Sequence, residues 1–524
     1  MAHSSLYRQF LVCLNKARRS NLETSGDPKP VTTSRRKFIK YSINTGLSLA
    51  LASTLPKALA ANNKSVAVIG AGLAGLNAAY RLKQTGMVVD IYEAANRVGG
   101  RIHTVTGQVG QDLITDLGGE LVNSDHADLL ALAEEFGIGL TSRIEPNAEL
   151  KKVAYFFSGK VCDEVEIADA LRPLAGQITR DAEALDSDWD GVAPGLDALS
   201  VADYLDRHQD LIPKQPDIRR LIESVVAVEY GVAAGESTAL QLIFCLPVVD
   251  GSQVELLSES DEAYVVNGGS ESLIHPLAGI LKDQIHLNAA VTQIEKQGDR
   301  LRLRINEQQP VDADFVILAV PPPALRKIDM QMDLPPSFRT FINEVDLGRN
   351  EKIIAGVKQR VWRQAQGFEI EAWSDQSVAL MWDASLRQLE LQQGALTFFL
   401  SADEVVQYAS NSAKQQGEAL LQEFTSVLPG LTSQDNGRFL RTAWHKTPGI
   451  MGAYTNFKPG QYTSFVADCL WVESEEEAGR VNFAAGNVVF AGEHTSDEYY
   501  GFMNGAAQSG RLAAEYIVNS LATG

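Results

Sequence analysis

The stretch Val66-Ala-Val-Ile-Gly70-Ala-Gly72-Leu-Ala-Gly75 decides the fold of this chain. An apolar, β-branched run ends in Gly-x-Gly-x-x-Gly, and a segment of helix length then leads to Val88-Val-Asp-Ile-Tyr-Glu93. We expect Gly70 to permit a tight turn, Gly72 to let the backbone approach a pyrophosphate, and Gly75 to let the helix pack closely on the sheet. Unpaired N–H groups at the helix N-terminus attract phosphate. The stretch therefore predicts a dinucleotide-binding unit.

The residues that follow narrow the choice of dinucleotide. Glu93 ends the second predicted strand, where its carboxylate can accept hydrogen bonds from a ribose; this suits NAD or FAD and disfavours NADP. The next motif is Arg97-Val-Gly99-Gly100-Arg101. We expect Arg97, Gly100 and Arg101 to wrap the far side of the pyrophosphate, a feature that nicotinamide dehydrogenases do not usually carry. The sequence therefore predicts FAD.

Composition and charge indicate a globular protein with a large core. The chain has 524 residues, 45% of them hydrophobic, and a net charge of −20. Its first 60 residues hold 10 basic and 2 acidic side chains, so the rest is more acidic still. The negative charge of the chain after residue 60 argues against nucleic acid and anionic membranes as partners. It mildly favours cationic substrates such as amines, but a solvated acidic surface is the simpler and preferred explanation of the composition.

The cysteines and histidines suggest neither a disulfide framework nor a metal site. Cys13, Cys162, Cys245 and Cys469 are far apart in sequence, and the eight histidines form no His-x-x-x-His pair. We therefore predict no metal.

The N-terminal 60 residues are similar to a twin-arginine export signal. The run 34–40 reads Ser-Arg-Arg-Lys-Phe-Ile-Lys, a weakly apolar stretch follows from Tyr41 to Leu55, and Ala58-Leu-Ala60 is a small-x-small cleavage signature. The apolar stretch is too short for a confident membrane span. This route carries folded proteins, so we expect export with the cofactor already inserted, to the periplasm or the medium. The alternative is a disordered tail.

Apolar spacing predicts the order of elements in the rest of the chain. The pattern predicts helices from about 125 to 245, including 128–136 and 168–185, with polar loops at 186–196 and 207–217. The alternation at 285–294 predicts one strand, 315–320 a buried strand that ends at prolines, 487–492 a last buried strand and 506–521 a last helix.

These elements suggest two discontinuous domains. The predicted FAD-binding domain combines 64–135, 256–341 and 447–520, and the predicted substrate domain combines 136–255 and 342–446. We predict an α/β fold: a two-domain flavoprotein with a Rossmann-like FAD-binding domain and a mixed α+β substrate domain that carries a helical insertion.

Four blocks of sequence carry a resemblance to a known family. They are the dinucleotide unit with its Arg-x-Gly-Gly-Arg motif, Gly348-Arg-Asn-Glu-Lys352 followed by Trp362-Arg363, Trp444-x-x-x-Pro448-Gly-Ile-Met-Gly452-Ala453-Tyr454, and Phe490-Ala-Gly492-Glu493-His-Thr-Ser with Gly501-Phe502-Met503-Asn-Gly505-Ala506 and Ser509-Gly510-Arg511. Together they resemble the flavin-dependent amine oxidase family, which includes monoamine, polyamine and L-amino-acid oxidases. The resemblance covers nearly all of 64–520.

The resemblance implies three catalytic residues. Tyr454 and Phe502 match two aromatic residues that flank the substrate in front of the flavin, and Lys352 matches a lysine that holds a water near the flavin N5 atom. The alternative interpretations are ordinary core aromatics for the pair and a solvated surface lysine for Lys352.

It also implies further cofactor contacts. Glu493 would bond the ribityl chain, the backbone near Met503 would hold the pyrimidine edge, and the segment 116–120 would pass under the ring. The complete set of predicted cofactor-binding residues is Gly70, Gly72, Gly75, Glu93, Arg97, Gly100, Arg101, Gly118, Gly119, Glu120, Val291, Gly492, Glu493 and Met503.

Two departures from the family bear on the cofactor and the substrate. Ala453 stands where some monoamine oxidases have the cysteine that attaches FAD, so we expect FAD to bind without a covalent link. No arginine follows Gly119 to clamp a substrate carboxylate, although Arg349, Arg363 or the helices of 125–245 could supply one. Glu120 is either an acid that attracts a cationic substrate or a structural hydrogen-bonding group.

The predicted function is oxidative deamination of a primary amine or L-amino acid with O2. The products are an imine (then an aldehyde or 2-oxo acid), ammonia and H2O2. The alternatives are a flavin desaturase or porphyrinogen-type oxidase on the same fold, and an exported flavoprotein that does not turn over. The expected partners are the small-molecule substrate, O2 and the export machinery, with no nucleic acid; whether the chain forms a homodimer stays open.

Overall fold

The computed structural model describes residues 64–143, 150–214, 216–257, 260–364, 367–474 and 479–523. The predicted export signal lies outside the described residues. Within the described ranges, no helix combines the length and apolar character needed to cross a membrane.

The strands and helices are numbered in chain order. The strands are β1 (Ser65–Ile69), β2 (Val88–Tyr92), β3 (Thr104–Thr106), β4 (Ile114–Asp116), β5 (Leu121–Val122), β6 (Leu140–Ser142), β7 (Val153–Phe157), β8 (Lys160–Cys162), β9 (Val248–Asp250), β10 (Gln253–Glu255), β11 (Tyr264–Val266), β12 (Ile285–His286), β13 (Val291–Gln297), β14 (Arg300–Ile305), β15 (Val311–Ala313), β16 (Phe315–Leu318), β17 (Asp329–Gln331), β18 (Asp346–Leu347), β19 (Asn350–Val357), β20 (Glu371–Ser374), β21 (Leu380–Asp383), β22 (Gly394–Ser401), β23 (Asp435–Arg441), β24 (Thr455–Asn456), β25 (Ala484–Ala485) and β26 (Val488–Phe490). The α-helices are α1 (Leu73–Gln84), α2 (Ala127–Glu135), α3 (Glu164–Ser187), α4 (Trp189–Asp197), α5 (Val201–Arg207), α6 (Ile218–Tyr230), α7 (Ala239–Cys245), α8 (Ile274–Ile280), α9 (Pro322–Leu325), α10 (Pro336–Glu344), α11 (Asp403–Gln407), α12 (Ala413–Phe424), α13 (Gln461–Phe465) and α14 (Met503–Thr523).

A six-stranded sheet forms the centre of the dinucleotide unit, in the order β12-β2-β1-β16-β26-β25. β1 pairs in parallel with β2 and β16, and β16 pairs in parallel with β26. Parallel strands with buried residues on both faces explain the continuous apolar runs of β1, β16 and β26. Because the strands are parallel, their carboxyl ends meet at one edge, where loops from distant parts of the chain come together.

Helix α1 packs against the last helix, α14. The Asn77 amide on α1 donates a hydrogen bond to the Ala507 carbonyl of α14, with an N···O distance of 2.7 Å. A Cβ atom at Gly510 would lie 2.4 Å from the Ala74 carbonyl oxygen, so the helices approach closely there. This contact joins the two ends of the folded chain over the dinucleotide-binding turn.

A second, seven-stranded sheet has the order β23-β19-β22-β21-β20-β7-β8. Its strands β19 and β22 are buried along their whole length and pair antiparallel. Trp362, Phe398 and Phe424 fill the core between this sheet and α12. β19 carries Lys352 from this sheet to the cofactor cavity described below.

Three predicted elements are wrong. The stretch 125–245 is not helical throughout, because β6, β7 and β8 interrupt it; β7 pairs in parallel with β20, a distant partner that its short apolar run does not reveal. The predicted polar loop at 186–196 is largely the helix α4, which begins where the Asp188 carboxylate accepts a hydrogen bond from the Gly191 N–H. The predicted strand 285–294 is two strands in different sheets, separated by a turn with Asn288 in the left-handed region at φ +55°.

Candidate functional site

A cavity of about 450 Å³ lies at the carboxyl edge of the six-stranded sheet. All the predicted catalytic residues and all the predicted cofactor residues except Gly75 and Glu120 line it. These are Gly70, Gly72, Glu93, Arg97, Gly100, Arg101, Gly118, Gly119, Val291, Lys352, Tyr454, Gly492, Glu493, Phe502 and Met503. Residues that are more than 400 positions apart in the chain therefore surround one volume.

The glycine motif has the geometry that a pyrophosphate requires. Gly70 has φ +101°, and a Cβ there would lie 2.6 Å from the Ala319 carbonyl oxygen. A Cβ at Gly72 would meet no atom within 4 Å, so this residue faces open space in the cavity. A Cβ at Gly75 would lie 2.1 Å from the Gly70 carbonyl oxygen, which explains why Gly75 supports the turn without lining the cavity. The backbone thus provides an open cradle at the N-terminus of α1.

Glu93 and Arg97 shape the loops on either side of this cradle. The Glu93 carboxylate accepts hydrogen bonds from the N–H groups of Ala71 and Ala95, both at 2.8 Å. The Arg97 guanidinium donates to three carbonyl groups of the segment 98–102, so it braces the Arg-x-Gly-Gly-Arg loop from within.

Arg101 and Glu493 form an ion pair across the cavity, with Nη1 2.8 Å from Oε1. The Glu493 carboxylate also accepts hydrogen bonds from the Thr455 hydroxyl and the Gly501 N–H. Burial raises the pKa of Glu493, but the Arg101 charge, with smaller contributions from the hydrogen bonds of Arg101 and Gly501, outweighs it, and the net pKa lies below its usual value. Glu493 is therefore held as a carboxylate in the cavity wall.

Lys352 is a buried lysine whose three ammonium hydrogens all have acceptors. Its Nζ atom lies 2.7 Å from the Glu120 Oε2 atom, 2.9 Å from the Gly118 carbonyl oxygen and 3.0 Å from the Asp116 carbonyl oxygen. Its exposed fraction is 5%, which excludes the surface-lysine interpretation.

Glu120 is equally buried, at 5%, and does not line the cavity. It accepts the Lys352 hydrogen bond and a longer one from the Trp382 indole N–H at 3.3 Å. Its other oxygen lies 3.6 Å from the Arg387 guanidinium. Of the two interpretations of Glu120, the structure supports the hydrogen-bonding one.

Tyr454 and Phe502 both line the cavity beside Lys352. The Phe502 ring packs edge-on against the His126 ring, with ring centroids 5.2 Å apart. Burial raises the pKa of Tyr454 far above its usual value, with the Glu229 and Glu262 charges adding to this effect. Tyr454 therefore stays neutral across the ordinary pH range.

Among the residues that the structure describes, no arginine outside the cofactor motif lines the cavity. Arg349 lies 4.0 Å from Glu236, and Arg363 lies 3.7 Å from Glu369; neither lines the cavity. Arg97 and Arg101 are the arginines that do, within the described residues, and both belong to the cofactor motif.

The structure also shows where the described cysteines and the potential metal-binding side chains lie. Cys162, Cys245 and Cys469 are free and buried, and none of these three lines the cofactor cavity. In the part of the chain that the structure describes, no group of three His, Cys, Asp or Glu side chains is arranged to hold a metal ion.

Sequence reasoning assigned no role to several residues of the site. His494 is 1% exposed and lines the cavity, and burial lowers its pKa to about 4, so its ring is neutral. Trp444 lies under Gly118 and donates to the Leu117 carbonyl at 3.1 Å. Both residues lie inside the sequence blocks that carry the family resemblance, and this position is the signal by which the sequence could have identified them. Glu229 was also missed, and its signal is an acid within the apolar end of α6.

Comparisons with known proteins agree with this geometry. A family model for flavin containing amine oxidoreductase matches residues 73–518. The flavin-containing amine oxidase of Danio rerio is 24% identical over 479 residues, covering 88% of this chain and 87% of that protein. The flavin-containing amine oxidase B of Sus scrofa is 24% identical over 477 residues, covering 87% of this chain and 86% of that protein.

Two solved structures share the fold. A putrescine oxidase bound to putrescine has a TM-score of 0.73 at 23% identity and covers 87% of this chain and 99% of its own. The cyclohexylamine oxidase of Brevibacterium oxydans has a TM-score of 0.73 at 22% identity and covers 88% of this chain and 100% of its own. The predicted α/β flavoprotein fold is thereby confirmed. The domain boundaries stay a prediction.

Proposed function

Because the chain belongs to the flavin-containing amine oxidoreductase family, we propose that it is an FAD-dependent oxidase of primary amines. It passes electrons to O2, releases H2O2 and forms an imine that water hydrolyses to an aldehyde and ammonia. One observation carries the proposal: Tyr454, Phe502 and Lys352, from three separate parts of the chain, line the same cavity as the dinucleotide motif.

The residues of the cavity fit a flavin dinucleotide. The open cradle at Gly72 and the N-terminus of α1 would hold the pyrophosphate, and Glu93 would bind a ribose. Bound FAD supplies the acceptor for a hydride equivalent from the carbon that carries the amine. Binding and orientation of the amine depend on the side chains of this protein.

Tyr454 and Phe502 orient the amine and exclude water from it. The amine must be neutral to react, and an apolar, water-poor wall favours its neutral form. Since burial keeps Tyr454 protonated, its ring acts as an uncharged wall. Lys352 is held by three hydrogen bonds, so its ammonium charge is fixed in the cavity wall, where it stabilises negative charge that develops nearby.

The substrate of this proposal is an amine without a carboxylate. An L-amino acid needs a cation to pair with its carboxylate, and Arg349 and Arg363 both lie outside the cavity next to acids. The aromatic pair and Lys352 also favour amines over the carbon–carbon substrates of desaturases. They favour a working enzyme over a flavoprotein that does not turn over.

Two further features complete the proposal. FAD binds without a covalent link, since Ala453 precedes Tyr454 and no cysteine of the described ranges lines the cavity. The protein is exported folded by the twin-arginine route, on the strength of the run 34–40 and the cleavage signature before Ala61.

The experiment is a peroxide-release screen of the purified, FAD-loaded protein against primary amines and all L-amino acids. Release with amines and not with amino acids is the expected result. Release with an amino acid alone would contradict the substrate class, and no release with any compound, together with no anaerobic bleaching of the flavin, would contradict the oxidase function.

A further inference from the structure

Arg387 is a buried arginine that approaches both acids of the loop next to the cofactor cavity. Its Nη1 atom lies 2.8 Å from the Asp116 Oδ2 atom, and its Nη2 atom lies 3.6 Å from the Glu120 Oε1 atom. Nη1 also donates a hydrogen bond to the Val266 carbonyl at 3.2 Å. All three charged side chains are at most 3% exposed, so one guanidinium bridges two carboxylates that solvent does not reach.

Together with the Lys352 ammonium, these groups form a buried network of two cations and two anions. Lys352 Nζ pairs with the other oxygen of Glu120, at 2.7 Å, and donates to the carbonyl groups of Asp116 and Gly118. The formal charges of the network therefore cancel. Arg387 enters it from a short turn after β21, which lies outside every sequence block that carries the family resemblance.

The network acts on the cavity although only part of it lies in the wall. Lys352 and Gly118 line the cavity, whereas Arg387, Asp116 and Glu120 do not. Charges in a dry interior are weakly screened and act over several ångströms. Without Arg387, two carboxylates would have one cation between them, and the network would be negative. A negative charge beside the cavity disfavours the addition of electrons to a flavin held there.

We propose that Arg387 is a positioning residue that raises the reduction potential of the bound flavin. It neutralises Asp116 and shares the Glu120 carboxylate with Lys352, so that the Lys352 ammonium is not the sole counter-ion of both acids. The positive charge of Lys352 then acts on the cavity, and electron transfer from the amine becomes more favourable. This inference rests on the proposed function, which assigns FAD to this cavity.

The reduction potential of bound FAD, measured anaerobically against reference dyes, tests the inference without amine turnover. In Arg387→Met the network keeps two acids and one cation, so the potential should fall by at least about 30 mV, a tenfold change in the equilibrium constant of a two-electron couple. Arg387→Lys keeps the charge and should recover most of this difference. FAD content and melting temperature of each variant are measured in parallel.

Asp116→Asn supplies both the opposite change and the compensating one. Its amide oxygen can still accept the hydrogen bonds that the Asp116 Oδ1 atom receives from the Thr104 hydroxyl and the Ser270 N–H, at 2.5 and 2.9 Å. Asp116→Asn alone leaves two cations and one acid, and should raise the potential. Combined with Arg387→Met it restores a neutral network, so the potential should return toward that of the wild type.

Arg360→Met is the matched control for a structural effect on the same turn. The Arg360 guanidinium is buried and donates to the Ser385 hydroxyl at 3.0 Å and to the Gln388 carbonyl at 2.9 Å, on the two sides of Arg387. Its ion-pair partner is Asp383, at 3.7 Å, which is not an acid of the network. We expect this variant to disturb the turn and to keep a reduction potential near that of the wild type.

The outcomes separate a charge effect from a folding defect and from failure of the oxidase function. Arg387→Met that retains FAD and the wild-type potential would overturn the inference, as would equal falls in Arg387→Lys or in Arg360→Met. If Arg387→Met loses FAD, Asp116→Asn alone decides, and an unchanged potential would overturn the inference. The expected shifts in a protein that oxidises no amine would support the role of Arg387 and contradict the proposed function.

Discussion

Lys352 and Glu120 form a buried ion pair, with Nζ 2.7 Å from Oε2, although 232 positions separate them in sequence. The pair joins β19 of the seven-stranded sheet to the loop after β4, next to the cofactor cavity. Removing one member of a buried pair is strongly destabilising, because the other charge is left uncompensated.

We therefore expect Lys352→Met to lower the free energy of unfolding by about 3 kcal/mol. The double variant Lys352→Met with Glu120→Gln should recover part of this loss, because no buried carboxylate is left without its partner. Chemical denaturation of both variants measures the difference. Equal stability of the single and double variants would show that the Glu120 carboxylate left behind by Lys352→Met carries no penalty.

Turnover of the same two variants tests whether Lys352 also acts in catalysis. Both should oxidise amines at least about tenfold more slowly than the wild type, a change of roughly 1.4 kcal/mol in the barrier. FAD content should stay the same, because Lys352 lies away from the glycine motif. If the double variant regained full turnover together with its stability, Lys352 would have a structural role alone.

The attachment of FAD is tested by acid precipitation of the purified protein. All yellow colour should stay in the supernatant, because Ala453 occupies the attachment position and Cys162, Cys245 and Cys469 lie outside the cavity. Colour that remained in the washed pellet would contradict the prediction.

The export signal has a matched internal control. Replacing Arg35 and Arg36 by lysine should retain the flavin-loaded protein in the cytoplasm, because the run 34–40 precedes the weakly apolar stretch. The same change at Arg18 and Arg19, an arginine pair without that context, should leave export unchanged. Fractionation of cells measures both, and export of the first variant would point to another route.

Glu229 predicts a pH-dependent contribution to stability. Burial, with the Glu262 charge adding, raises its pKa from 4.5 to about 8. Between these values the folded protein holds a proton that the unfolded chain has lost. The stabilising contribution is therefore complete below about pH 4.5 and is lost as the pH rises through about 8.

Glu229→Gln should become more stable relative to the wild type over this window, by up to about 4 kcal/mol between pH 5 and 8, since each pKa unit corresponds to about 1.4 kcal/mol. Denaturation at a series of pH values measures it. A stability difference between Glu229→Gln and the wild type that stays constant with pH would contradict the assignment.

The sequence predicts local features of this fold better than distant ones. The turn at Gly70 and the strands around it follow from short patterns, because β1, α1 and β2 are consecutive and their glycines have local steric reasons. The division of 285–294 into two strands depends on the left-handed turn at Asn288, which an alternating pattern does not reveal.

Prediction of the site from sequence is limited in the same way, because short patterns do not report contacts between distant residues. Recognisable sequence blocks predict that Tyr454, Phe502 and Lys352 line one cavity. They do not predict that Lys352 pairs with Glu120, because the sequence supports both interpretations of Glu120 equally and only the fold decides between them. Glu229 lies outside every block. Its raised pKa depends on burial and on the charge of Glu262, which lies far away in sequence, and short patterns report neither.

The central claim is that a neutral amine reacts between Tyr454 and Phe502. Anaerobic reduction of bound FAD by an amine, followed by its absorbance across the pH range in the wild type and in Tyr454→Ala, tests it most directly. The apparent second-order rate constant should climb from about pH 6 to about pH 9 as the amine or a group of the cavity loses its proton. Tyr454→Ala should lower it for every amine while FAD content is retained. A rate constant that is flat with pH, or a fully active alanine variant, would contradict the account.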